Sequence, residues 1–283
     1  MHPTANRPAI IIPLDGSETA TRALGAAEAM AALMGAALHI VHVTEEPLAE
    51  EQLLGEMKIE RKIQVEDCVL HQIIGGDPVV GVLRYASDVD TEMIVMSSHG
   101  WTYNPERLLG ETATGLLRRA VNPVMVIRPD MLRIPEASWR PKKMLVPQEG
   151  TPTAAAVIHS VFRLAALLGV DVDVLSIKVA GERLAEVGAM PPPRYLDHPG
   201  YDWPAWASEF AQRFLAERPP QVQLRVFGRE GAPAEVLTKF GLENGDDLIA
   251  LGWHGHLEFG RATVVKDLIR HAELPLVLIW SRE

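Results

Sequence analysis

Three short segments of this chain occur twice, in the same order, and that repetition constrains the fold more than any single motif. Ile12-Pro13-Leu14-Asp15-Gly16-Ser17 returns as Val146-Pro147-Gln148-Glu149-Gly150-Thr151. Ser97-Ser98-His99-Gly100 returns as Gly252-Trp253-His254-Gly255, and Asn122-Pro123-Val124-Met125-Val126-Ile127 as Leu274-Pro275-Leu276-Val277-Leu278-Ile279. Asp15 and Glu149 lie 134 positions apart, as do Val43 and Ile177. The offset grows to 155 for Gly76 and Gly231 and for Gly100 and Gly255, then falls to 152 for Pro123 and Pro275. The second copy therefore gains 21 residues between Ile177 and Gly231 and loses 3 after Gly255. A repeat of this length is a duplicated domain, not a solenoid unit.

The 283 residues suit two domains with real cores, residues 1–130 and 140–283, the second carrying its insertion at about 180–218. An apolar content of 47% argues against disorder. The net charge of −10 argues against general binding to nucleic acid or an acidic membrane, both of which need a basic face. Cys68 is the only cysteine, which excludes an internal disulfide and fits a reducing compartment. The apolar stretch 26–43 contains Glu28, Gly35, His39 and His42, and its period changes at Gly35, so it predicts a helix and then a strand, not a membrane span. Residues 1–8 lack the apolar core of a signal peptide. The expectation is a soluble, cytoplasmic protein.

Within the first half, residues 9–14 form a short apolar run that predicts a buried strand, and Ser17 is placed to cap a helix. Ala20, Ala23, Leu24, Ala27, Ala31 and Met34 keep helical spacing up to Gly35. Ala154, Val157, Ile158, Val161, Ala165 and Leu168 repeat that spacing before Gly169. Further strands are predicted at 37–43, 69–74, 93–97 and 123–127, with helices between them, one opening at Pro78 and one burying Ala113, Leu116, Leu117 and Ala120. Strands alternating with helices imply a parallel sheet covered on both faces and doubly wound by right-handed crossovers. Such sheets bind ligands beyond the carboxyl ends of their strands. Asp15 and the Ser97 to Gly100 loop both fall there.

These residues resemble the universal stress protein family, whose nucleotide-binding members carry a strand-one Asp, then Gly-x-x-Gly, nine residues, and Gly followed by Ser or Thr. The resemblance covers nearly the whole chain, twice. It implies two five-stranded parallel sheets of order 3-2-1-4-5, adenine nucleotide alpha hydrolase-like, packed as a pseudo-twofold tandem. It also implies ATP or ADP, with Mg2+ as a candidate companion, at Pro13, Leu14 and Asp15, at Val43, and at Met96 and Ser97, with Gly100, Gly110, Glu111 and Thr112 at the phosphate end. Bare glycine backbone and a helix N-terminus suit phosphate in any case.

Each half departs from the pattern. In the first, Ser97 replaces a Gly, and Glu111 replaces the Ser or Thr, with Thr112 beside it. Glu in a first helical turn matches the helix dipole. Beside a phosphate it repels by roughly 4 kcal/mol at 4 Å and an effective dielectric of ~20, unless it points away or a divalent cation intervenes. In the second, Glu149 replaces Asp, Gly252 and Gly255 match, six residues precede Ala262 in place of the last Gly, and Thr263 keeps the hydroxyl. Arg261 and Lys266 are placed to compensate.

His99 and His254 stand at strand ends, where a general base would sit, but the pattern contains no Ser/His/Asp set or carboxylate pair; no catalytic or metal-ligating residue is assigned. The insertion gathers Tyr195, Tyr201, Trp203 and Trp206 among prolines, the composition of a lid, a partner surface or a loop pinned by its aromatics. Asp197, His198 and Asp202 within it make a weak metal motif. The family resemblance further implies antiparallel pairing of the last strands, 123–127 and 275–280, within the chain, and it leaves a homodimer open. Prolines 129, 135 and 141 stiffen the linker. The first functional expectation is a stress-response ligand-binding protein, with at most weak ATP hydrolysis, that holds an adenine nucleotide in its N-terminal half. The alternative is an interaction module without nucleotide that works through the aromatic insertion. A related nucleotide-dependent transferase is disfavoured because no His-x-Gly-His-type motif follows strand one.

Overall fold

Ala9–Pro13 (β1) is buried at every position but Pro13, as a strand covered on both faces must be. It lies at the centre of the first sheet in the computed structural model, which describes residues 7–59, 63–101, 107–148, 157–178, 218–257 and 262–281. Ala37–Thr44 (β2) and Thr91–Ser97 (β4) flank it, with Cys68–Ile74 (β3) outside β2 and Val124–Ile127 (β5) outside β4, all parallel. The order β3-β2-β1-β4-β5 is the doubly wound order expected.

The helices follow the sequence signals with one break. The helical spacing from Ser17 to Met34 predicts one helix, but the structure divides it into Glu18–Thr21 (α1) and Leu24–Met34 (α2). Ser17 caps the first, accepting from the Ala20 amide at 3.0 Å, and a tight Ala23 N–H to Ala20 carbonyl bond turns the chain between them. Glu50–Glu56 (α3), Pro78–Asp88 (α4) and Glu111–Arg119 (α5) complete the first copy. Asp77 caps α4 through the Val79 amide at 2.7 Å, and Pro78 occupies a position where no N–H is needed.

By contact the chain divides into two compact units, Met1–Arg140 with Gly255–Trp280, and Pro141–His254 with Ser281–Glu283. The first unit thus gains Thr263–His271 and Leu276–Trp280 from the second copy. Leu276–Trp280 pairs antiparallel with β5, Val277 opposite Met125, which is the expected pairing of the two last strands.

The second unit holds Lys143–Gln148 (β6), Asp171–Lys178 (β7), Leu224–Glu230 (β8) and Leu248–Trp253 (β9) in the order β8-β7-β6-β9, all parallel. Ile158–Leu168 (α6) and Pro233–Asn244 (α7) connect them. Thr263–His271 is α8 and Leu276–Trp280 is β10.

The core of the second unit contains an acidic pair. Asp173 on β7 is fully buried and takes both arms of the Arg225 guanidinium, at 2.7 and 2.6 Å. Asp246, just before β9, is 4% exposed, and neither of its oxygens has a donor. Burial, and then the Asp173 charge, push the Asp246 carboxyl up to about 7, with Lys143 and Arg225 pulling the other way. A proton on Asp246 makes it a donor toward Asp173, which gives the otherwise unpartnered Asp246 carboxyl its hydrogen bond.

Candidate functional site

Beyond the carboxyl ends of β1, β2 and β4 the first unit opens a cleft of about 530 Å3. Asp15 enters from β1, residues 42–46 and Leu48 from the end of β2, Glu56 from α3 and Trp101 from the loop after β4. Of the residues singled out by the family pattern, Asp15 and Val43 line it.

Asp15 is held by its own chain. One carboxylate oxygen accepts from the Ser17 amide at 2.9 Å and the Ser17 hydroxyl at 2.6 Å. The other accepts a longer bond from the Trp101 amide, 3.3 Å, while the Trp101 indole N–H donates to the Asp15 carbonyl at 2.5 Å. Gly100 is what permits this approach, since a Cβ there would lie 2.0 Å from the carboxylate. Gly16, at φ +81°, brings its Cα so close to α3 that a Cβ would lie 2.2 Å from the Glu56 carbonyl oxygen.

Two histidines brace the surroundings. His42 is buried, and its Nδ1 donates to the Leu14 carbonyl at 2.6 Å while Nε2 faces the Glu56 carboxylate at 3.4 Å. His99 is also buried; its Nε2 donates to the Arg107 carbonyl at 3.1 Å and its Nδ1 accepts from the Ser98 hydroxyl at 2.9 Å. With both ring nitrogens engaged, His99 clamps the loop after β4.

The Gly110 amide donates to the Ser98 carbonyl at 2.9 Å. Gly110 lies against the backbone of His99 and Gly100, where a Cβ would make ordinary contacts of 3.6 and 3.7 Å, and it opens α5 with no side-chain cap. The amides of the first helical turn therefore lack intrahelical partners. Glu111 does not crowd them. Its side chain is 92% exposed and pairs with Arg107 at 3.8 Å. Thr112 is half-buried beside it. Leu14, Met96 and Ser97 are buried and Pro13 is half-buried.

His42, the acidic residues Glu45, Glu46 and Glu56, and Trp101 are cleft residues that motif reading missed. Their only sequence signals were position: His42 precedes Val43, Trp101 follows Gly100, and Glu45-Glu46 reads as a solvated charge run.

In the second copy, Gly252 lies in β9 and so in the second unit, whereas Gly255 and Thr263 group with the first. Ala262, in the place of Gly110, adopts the left-handed region at φ 50°. An alanine there is strained, so Ala262→Gly is expected to stabilise the chain by about 0.5 kcal/mol, read as a higher denaturant midpoint; a lower midpoint would contradict the strain. Glu149, Arg261 and the aromatic insertion, with its Asp197, His198 and Asp202, lie outside the described residues. Among the described residues no helix is long and apolar enough to cross a membrane, and no cluster of three His, Cys, Asp or Glu is arranged to hold a metal ion.

The universal stress protein family profile matches residues 7–128 and again residues 141–279. The chain belongs to the universal stress protein family. It is also similar to a universal stress protein of Thermus aquaticus encoded in the 3′ region of a QAH/OAS sulfhydrylase gene, 29% identical over 133 residues, 42% of this chain and 97% of that one. The crystal structure of a universal stress protein from Archaeoglobus fulgidus DSM 4304 aligns over 97% of both chains with a TM-score of 0.65 at 16% identity. A functionally unknown protein from Pseudomonas aeruginosa PAO1 aligns over 97% of this chain and 92% of its own, TM-score 0.63, 14% identity. At these identities the two structures establish the tandem fold. This universal stress protein therefore carries its family domain twice.

Proposed function

We propose that this universal stress protein is a ligand-binding protein whose first copy takes an adenine nucleotide. The observation that carries the reading is the uncapped N-terminus of α5 at Gly110, stacked on the bare backbone of Gly100, with Glu111 turned outward. Amides of a first helical turn and glycine backbone are what a phosphate group needs. Gly100, Gly110 and Thr112 would meet the phosphates. Asp15, with Pro13, Leu14, Val43, Met96 and Ser97 around it, would meet the nucleoside. A ribose hydroxyl donating to Asp15 would replace the 3.3 Å bond from the Trp101 amide, the longest of the three the carboxylate accepts. The acidic lining, Asp15 with Glu45, Glu46 and Glu56, opposes a bare polyanion, so the nucleotide is expected to bind with a divalent cation such as Mg2+ on its phosphates. No residue is assigned a catalytic role.

The test is the small molecule released when the purified chain is denatured, identified by mass spectrometry. ATP or ADP is expected, and Gly110→Val, which places methyl groups where phosphate would approach, should lower the amount retained at least about tenfold, a loss of ~1.4 kcal/mol. Equal retention by the folded variant would overturn the assignment of the phosphate end.

A further inference from the structure

We infer that Trp101 is a latch on the first copy's nucleotide site: it occupies the Asp15 acceptors that a nucleoside would use, and nucleotide enters by displacing it. The inference rests on the nucleotide reading above and adds the regulation of that site. Tryptophan is highly buried on average, yet Trp101 is 64% exposed, so burial does not hold it in place. Directed bonds do. Its indole N–H donates to the Asp15 carbonyl at 2.5 Å and its amide to one Asp15 carboxylate oxygen at 3.3 Å. The other carboxylate oxygen accepts from the Ser17 amide and hydroxyl. All three oxygens of Asp15 therefore carry a donor from the chain itself.

The surrounding chain serves this seated position. The Thr19 hydroxyl donates to the Gly100 carbonyl at 2.7 Å, which anchors the residue from which the indole swings. Gly16 lets the ring lie across the turn after β1, since a Cβ there would sit 3.6 Å from the indole Cζ2. Lys58, just past the end of α3, places its Nζ 4.8 Å from the centroid of the Trp101 ring. Its φ is +53°, in the left-handed region where the end of a helix usually places glycine. A lysine at that position gives up backbone comfort, and what its side chain reaches is the indole face. A nucleotide that brings its own donors to Asp15 exchanges these bonds without leaving an acceptor bare.

The test uses the full chain. Trp101→Ala removes an exposed side chain, and it should bind ATP with Mg2+ about tenfold more tightly than the parent by calorimetry, as for a latch open about one-tenth of the time. The chain has six tryptophans. With 15N-labelled indoles, the signal missing from Trp101→Phe identifies that of Trp101. In the parent this N–H should exchange slowly with solvent, and several-fold faster in Lys58→Met or once ATP saturates the chain. Weaker binding by Trp101→Ala would make the ring part of the ligand platform and overturn the latch. Equal binding, or an exchange rate that ATP or Lys58→Met leaves unchanged, would overturn it while the nucleotide reading stood. No heat from either chain is a separate failure, in which the nucleotide reading falls and the latch with it.

Discussion

Gly16→Ala is expected to lower the stability of the first unit by about 3 kcal/mol, combining the cost of a left-handed alanine with that of overpacking against backbone. The reason lies in two independent constraints on one residue. Its φ is +81°, and its added methyl would lie 2.2 Å from the Glu56 carbonyl oxygen, which belongs to α3 and cannot rotate away as a side chain would. Gly76 separates the two effects, since its φ is +87° but nothing lies within 4 Å of an added Cβ. Gly76→Ala should therefore cost only the backbone part, about 1 kcal/mol. Denaturant unfolding of both variants checks this. Equal losses would mean that the approach of β1's loop to α3 carries no energetic weight, and with it the account of how Glu56 is placed in the cleft.

Asp246→Asn should stabilise the second unit at pH 8 and flatten its dependence on pH. In the folded chain the Asp246 carboxyl is raised to about 7 by burial and by Asp173, against 3.8 when exposed. The sign follows from linkage. A folded-state value above the unfolded one means the native chain holds the extra proton, so this group's contribution is most favourable below about pH 4 and is lost as pH rises toward 7. Above 7 the pair is doubly charged in a site with no free donor for Asp246. Asparagine removes that charge and supplies an N–H for Asp173. Removing that buried charge is worth on the order of 2 kcal/mol at pH 8. The expected gain in melting temperature at pH 8 is about 4–8 °C, shrinking toward pH 4. A destabilised variant at pH 8 would show that the carboxylate is compensated by Arg225 and Lys143 after all.

Local pattern, meaning apolar runs, helical spacing, and Pro or Gly at element ends, was enough to read the strand positions and the parallel, doubly wound class. The strand order of the first copy and the pairing of the last strands came from the family resemblance, because neither is written in local pattern. The break between α1 and α2 was not legible, because Arg22 and Ala23 fit a continuous helix by composition. It reflects the tight Ala20 to Ala23 bond and the reach of Arg22 to the Pro129 carbonyl, 107 residues away. At the site, the pattern located Asp15, Gly100 and Gly110, whose chemistry is backbone approach. It missed the acidic lining. Glu56 comes from a helix whose packing under Gly16 no local signal reveals, and Glu45-Glu46 and Trp101 acquire meaning only once β2, α3 and the loop after β4 converge. Asp246 was silent for the same reason: next to Asp247 it reads as a turn, and only its burial against Asp173 sets it apart.

The most direct test of the central claim, that the first copy still holds a nucleotide, is a calorimetric titration of ATP into the full chain with and without Mg2+. One saturable site per chain, stronger with the metal because the cleft is lined by carboxylates, is the expected result. Absence of heat under both conditions, from a folded chain, would contradict the claim and leave the first copy's loop as scaffold.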